Sequence, residues 1–365
     1  MSAVTWSGAS SDGLARTGVM TTPHGSVATP NFMPVGTRAT VKTMDVEDLK
    51  KVGAEIVLAN TYHLMLRPGE DVVSRLGELH GFMAWDGPIL TDSGGFQVLS
   101  LDPKINEEGL VFRSSYDGSR VELTPERAVA VQEQLGSDIA MALDVPVALP
   151  SPRREVEAAM ALTYRWAERS LSARQRDDRA LFGIVQGGVE PDLREQAAKE
   201  IASLGFPGFG IGGLAVGEAA EERDRALEAA IPHLPEHGVR YVMGLGDTEG
   251  LLAAIARGVD LFDCVIPTRL ARHGKALTRT GDVSIKRTEW KESNEPLDRA
   301  CGCLTCQRHS RGYLRHLHTT NEPLADRLLT LHNLTYTFDL LEGARRAIAE
   351  GAFEQYRRSV VAARI

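Results

Sequence analysis

Eight short apolar runs recur along this chain: Asn31–Val35, Ala54–Ala59, Pro88–Thr91, Asp138–Leu143, Leu181–Val185, Phe209–Gly212, Val239–Met243 and Gly258–Phe262. Runs that are apolar almost throughout, rather than alternating, predict strands buried on both faces of a parallel sheet. Charged amphipathic stretches lie between several of them, at Arg153–Arg176, Asp192–Leu204 and Glu218–His233. Pro125 and Pro152 stand where first helical turns would begin, with Thr124 and Ser151 as expected N-caps. Eight strands with crossover helices predict an α/β fold, a (β/α)8 TIM barrel. A doubly wound open sheet is the alternative, but no Gly-rich nucleotide fingerprint follows the first run. From about Lys286 to Asn333 the rhythm breaks into cysteines, arginines and histidines. The chain therefore reads as barrel strands and helices with an N-terminal segment over 1–285, and an inserted zinc-binding subdomain near the C-terminus over 286–335. A last barrel helix, from about Tyr336 to Arg358, closes the same catalytic domain over 336–365.

Three of the four cysteines, Cys301, Cys303 and Cys306, fall within six residues. A C-x-C-x-x-C run needs one further donor for a tetrahedral zinc site, and His309, His316, His318 and His332 all lie close by. The N-terminus shows no charged-then-apolar leader, and no run of about 18 apolar residues occurs, so a cytoplasmic protein with reduced thiols and no membrane partner is expected. Net charge is −8, yet Cys264–Thr320 carries eleven Lys/Arg against five Asp/Glu, a local +6 that leaves −14 for the remainder. A basic face on an acidic body steers a polyanion to one place.

In a barrel of this kind the active site lies at the carboxyl ends of the strands. Those ends carry Asp92 with Ser93, then Asp144, Gln186, Gly213 with Leu214, Met243, and Asp263. A lone Asp after a strand is often only a helix cap. Three of them arriving with an amide and Gly-rich turns suit a flat polar ligand read by side chains and backbone. Metal hydrolysis would call for a His-x-His pair at an early strand end; His63 stands alone and reads as a packed or hydrogen-bonding residue. Paired carboxylates without metal point instead to displacement at an anomeric carbon.

The runs Thr91–Gln97, Gly183–Gly188, Gly212–Glu218 and Phe262–Arg269, followed by the cysteine cluster, resemble the bacterial tRNA-guanine transglycosylases, from about Gly18 to Phe353. The resemblance implies exchange of the anticodon wobble guanine for a 7-deazaguanine base, with Asp263 as nucleophile and Asp92 as general acid and base. It implies that Ser93, Asp144, Gln186, Gly213 and Leu214 read the base, that Phe96 and Met243 sandwich it, and that Arg269 and Arg272 contact neighbouring nucleotides. It also implies His332 as the fourth ligand of a structural Zn2+, one per chain, a tRNA with a uridine-guanine-uridine anticodon core, and a homodimer to which the zinc region contributes.

The pattern departs from the family at one wall. Where bacterial members follow the base-reading Asp with Glu-Cys-Thr-Pro, this chain has Val145-Pro146-Val147-Ala148. Phe96 also replaces the more usual Tyr, whereas Val216 keeps the bulky residue of the bacterial pattern. The incoming base implied is 7-aminomethyl-7-deazaguanine first, queuine second and a cyano-bearing precursor third. Rival readings are a catalytically silent RNA-binding subunit, a relative acting on DNA guanine, and a zinc-dependent hydrolase. The first would be expected to lose Asp92 or Asp263, and both are present.

Overall fold

Residues 3–214 and 217–364 are described by a computed structural model. Eight parallel strands close into a barrel, in the order Asn31–Gly36, Val57–Ala59, Ile89–Thr91, Ile139–Met141, Ala180–Val185, Gly208–Ile211, Val239–Val242 and Leu261–Cys264. Each of the eight apolar runs holds one of them. Closure excludes the open-sheet alternative, and it is made by pairing Leu261 with Asn31 and Asp263 with Met33. Inward residues such as Met33, Leu58, Leu90, Met141, Ile184, Tyr241 and Leu261 form one core, and outward residues such as Phe32, Val57, Val185 and Phe262 pack into another. Burial on both sides is why the runs read as continuously apolar.

Beside a two-stranded ribbon of Lys275–Ala276 and Val283–Ser284, two three-stranded antiparallel sheets, absent from the run pattern, decorate this barrel. Strands Thr5–Asp12, Ala15–Thr22 and Gly25–Thr29 form the first, and their Trp6, Met20 and Val27 join the inner core. The first of these strands is exposed along most of its length and buries only Trp6, so no apolar pattern marks it. Its sheet is pinned to the barrel by Arg16, whose guanidinium meets Asp260 (2.9 and 2.5 Å), donates to the carbonyls of Glu236 and Gly238, and lies 3.9 Å from the Trp6 ring. The second sheet, Lys104–Ile105, Leu110–Arg113 and Arg120–Leu123, follows the third barrel strand.

The helix Pro125–Leu135 begins as expected, with Thr124 Oγ1 accepting from Arg127 N. Ser151 does not cap the next helix, which starts at Arg153 with Pro152 in the cap position; its hydroxyl donates to the Ala148 carbonyl instead. The expected helix from Tyr336 to Arg358 is two helices, Pro323–Ala349 and Phe353–Ala362. Gly351, at φ +67°, breaks them in a conformation that costs side-chain-bearing residues more. The long helix therefore already carries His332 before the position where a boundary at 335 would fall.

Asp260 is fully buried, and Arg16 and the Arg240 amide are the only hydrogen-bond donors to its carboxylate among the described residues. Arg16→Leu strands that carboxylate and should lower unfolding free energy by about 3 kcal/mol. Urea denaturation with an unchanged midpoint would show that the pair holds nothing.

Candidate active site and metal centre

Asp92 follows the third barrel strand directly and is buried. Its carboxylate accepts from Asn60 Nδ2, from the Thr61 amide (2.8 Å) and from Gln97 Nε2 (2.8 Å). Asn60 and Thr61 stand at the end of the second strand and Gln97 lies on the short helix Gly95–Leu99, so three elements aim one carboxyl group. Burial drives its pKa up to about 6, against the pull of those hydrogen bonds and with help from the charge of Asp263.

Asp144, after the fourth strand, is also buried; it accepts from Gln186 Nε2 at 2.6 Å and Ser93 Oγ at 3.2 Å. Burial again lifts its pKa to about 6, opposed by Gln186 and Ser93 and assisted by Asp92. Asp263 points inward from the closing strand. Its Oδ1 accepts from Tyr241 hydroxyl (2.6 Å) and the Gly244 amide (2.8 Å), and desolvation raises its pKa. Burial and Asp263 push the Tyr241 phenol well above its ordinary range, so it remains a donor. Three buried carboxyl groups thus lie close enough to feel one another's charge, two of them with midpoints near pH 6. Such a set can pair a nucleophile with a proton carrier.

The Gly-rich loops on the opposite wall are shaped by Arg194. This side chain is fully buried and donates to the carbonyls of Gly188 (2.7 Å), Val185 (3.0 Å) and Gly212 (2.8 Å). Burial draws its pKa down to about 9, with Glu218 opposing. Gly213 has φ +67°, and a Cβ there would lie 2.4 Å from Gln186 Oε1. Only a glycine lets the backbone cross so close to the amide that holds Asp144. Leu214 is buried beside it, and Met243, after the seventh strand, packs on the inner core. Phe96 is 58 % exposed, a large ring with an open face. Val216 lies outside the described residues. Val145 is buried, and its amide is held by Thr163 Oγ1. His63 behaves as a hydrogen-bonding residue, with Nδ1 3.0 Å from Tyr116 hydroxyl.

Asn60, Gln97, Tyr241, Gly244 and Arg194 were not singled out from sequence. Asn60 had a usable signal, since it ends the second strand run just as Asp144 ends the fourth. Arg194 had none: it sits in an ordinary amphipathic helix, Pro191–Ser203.

Arg269 and Arg272 lie on the helix Ile266–Arg272 that follows Asp263. Neither forms an ion pair with a carboxylate among the described residues; Arg272 donates to the Thr268 carbonyl within its own helix. Behind them, Cys301, Cys303, Cys306 and His332 bring four ligand atoms within 4.8 Å of one another. His332 Nδ1 lies 3.5 and 3.3 Å from the sulfurs of Cys303 and Cys306, while its Nε2 meets the Leu277 carbonyl at 2.7 Å. That outer bond leaves Nδ1 free to ligate. The Cys301 and Cys306 thiols hold Cys303 down to about 3, a thiolate suited to a cation. His309, His316 and His318 stand outside the cluster. The adjacent Asn333 donates to the carbonyls of Pro267 and Lys275 and accepts from the Leu277 amide. The metal centre is thereby tied to the segment that follows the nucleophile candidate.

A family model described as Queuine tRNA-ribosyltransferase matches residues 11–364. The chain belongs to this family. It is 51 % identical to the queuine tRNA-ribosyltransferase of Desulforamulus reducens, over 94 % of this chain and 93 % of that protein. It is 52 % identical to that of Synechococcus elongatus, over 91 % and 87 %, and 51 % to that of Thermus thermophilus, over 95 % and 90 %. Membership makes the chain a glycosyltransferase, a tRNA-guanine transglycosylase by class. Among the described residues, no helix is long and apolar enough to cross a membrane.

If the cluster holds a metal, the parent protein should carry about one ion per chain and Cys303→Ser should lose it. Inductively coupled plasma mass spectrometry of both proteins measures this, and equal metal content would remove the cluster as the binding site.

Proposed function

We propose that this protein exchanges the wobble guanine of tRNAs with a uridine-guanine-uridine anticodon core for a 7-deazaguanine base, through a covalent bond between Asp263 and ribose C1′. The observation that carries the proposal is the pairing of Asp263, held by Tyr241 and Gly244, with Asp92 poised at a pKa of about 6. Asp263 attacks C1′ as the bond from C1′ to guanine N9 breaks, and Asp92 gives its proton to the departing base. The incoming base then loses its N9 proton to Asp92 and displaces Asp263 from C1′. To enter the pocket, the exchanged nucleotide leaves its stack, as in other base-modifying enzymes.

Asp144, Gln186 and Ser93, with the backbone of Gly213 and Leu214, supply donors and acceptors that match the amide and amine edge of a guanine. Phe96 and Met243 flank its plane. Arg269 and Arg272, free of carboxylate partners, suit the neighbouring nucleotides. The incoming base is 7-aminomethyl-7-deazaguanine. Queuine is the second reading; the Val145-Pro146-Val147 wall offers no carboxylate to the amine that both bases carry, so the base chase decides between them. Zinc fits the Cys301, Cys303, Cys306 and His332 donor set, whose four protein ligands leave no open position for catalysis. Its role is to stiffen the segment carrying Arg269 and Arg272. Leu304, Tyr313 and Leu324, partly exposed around that region, support a homodimer formed there.

Incorporation of labelled guanine into an unmodified tRNA bearing this anticodon core tests the reaction. Asp263→Asn should lower it by at least about a thousandfold, and a variant that retains exchange would end the covalent reading. A chase with each base identifies the one used. Single-turnover guanine release requires protonated Asp92, so above about 6 it should fall roughly tenfold per pH unit. Gln97→Leu removes a hydrogen bond to the charged form and should move this limb to higher pH. An unshifted limb would assign the titration to another group.

A further inference from the structure

On the pocket rim, two arginines converge on one tyrosine ring. Arg38 lies two residues beyond the first barrel strand, and Arg67 lies just past the helix Thr61–Leu66. Tyr116 occupies the turn between strands Leu110–Arg113 and Arg120–Leu123. The guanidinium carbons sit 5.4 and 4.9 Å from the Tyr116 centroid, both within cation–π range. Both arginines are exposed, and neither side chain has an ion-pair or hydrogen-bond partner among the described residues. The ring itself is anchored: its hydroxyl meets His63 Nδ1, and the neighbouring Ser115 Oγ lies 2.8 Å from Tyr62 hydroxyl. Tyr62 and His63 follow Thr61, whose amide binds Asp92. The cluster is therefore rigidly indexed to the reacting carboxylates. Burial and Arg38 both lower the His63 pKa, which favours its neutral form beside the arginines.

Two like charges held over one ring, with no carboxylate between them, repel each other unless an anion bridges them. Planar guanidinium groups bind phosphodiesters bidentately. We propose that Arg38, Arg67 and Tyr116 form a phosphate clamp for the RNA strand entering the pocket, on the side of the first and second barrel strands and additional to Arg269 and Arg272. The inference rests on the RNA-directed reading above. It adds a second backbone anchor, so that the exchanged nucleotide is held on both sides while it is drawn from its stack.

The test is binding of a fluorescein-labelled anticodon stem–loop RNA by the full-length protein, measured as a function of KCl, alongside guanine exchange. Each phosphate contact contributes about 0.7 to the slope of log K against log salt for single strands. Arg38→Gln with Arg67→Gln removes the one clamped phosphate contact and should therefore flatten the slope by roughly 0.7, weaken binding several-fold and raise KM for tRNA with KM for the free base held. Arg120→Gln, on the same hairpin but paired with Glu122, should leave the slope unaltered. Parental slope and affinity in the double variant would overturn the clamp. If that variant does not fold, Arg38→Gln alone should flatten the slope by about half as much, and an unchanged slope overturns the proposal equally. A parent protein that binds the RNA with the steep slope yet exchanges no guanine sinks the exchange reading and leaves the clamp standing.

Discussion

The closing strand, Leu261–Cys264, is four residues long and is tied by a carboxylate at each end. Below it, Asp260 binds Arg16 and the Arg240 amide; within it, Asp263 binds Tyr241 and the Gly244 amide. The parallel pairing with Asn31–Gly36 sets which side chains face inward. A slip of one residue would turn Asp263 out toward the helices and Phe262 into the pocket. The Asp260 anchor guards against that slip, so a salt bridge at the far end of the barrel supports the position of the group proposed to attack the ribose.

Gathering carboxylates in a dry pocket has a thermodynamic consequence. The folded state holds protons on Asp92 and Asp144 that an unfolded chain releases at lower pH, because burial raises both above the ordinary carboxylate value. Their contribution to stability is full below the unfolded pKa of 3.8 and is lost as pH rises through about 6. The hydrogen bonds from Asn60, Gln97, Gln186 and Ser93 limit this cost by favouring the charged forms. The same donors aim the carboxyl groups, so tuning and positioning are one arrangement. The apolar core and the Arg16–Asp260 lock supply the stability against which the pocket works.

The metal centre acts on the site through the backbone. His332 reaches Leu277, Asn333 reaches Pro267 and Lys275, and the helix carrying Arg269 and Arg272 packs along the long C-terminal helix that bears both residues. The segment joins the main core through Ile285, Leu297, Leu314 and Leu317, and a metal held by the four candidate ligands would cross-link it further. This arrangement explains why the basic region and the cysteines coincide in sequence.

Much of the site was legible before folding because strand ends are linear features: Asp92, Asp144, Gln186 and Asp263 each close an apolar run, and three cysteines in six residues declare a ligand set on their own. The antiparallel sheets escaped because their strands are short or interrupted by polar residues and lack a continuous apolar run, and the last helix was misplaced because its break depends on the φ of Gly351. Arg194 shows the limit most clearly. Its neighbours in sequence are those of any surface helix, and only the assembled barrel surrounds it with three carbonyls. The sequence by itself determined the number of barrel strands, the family and the chemical types at the pocket, since these follow from local pattern and residue identity. The tertiary structure alone decided which donors hold each carboxylate, how burial shifts its protonation, and which arginines share a ring. Those are properties of distance and solvent exclusion between segments far apart in the chain, and no local pattern encodes them.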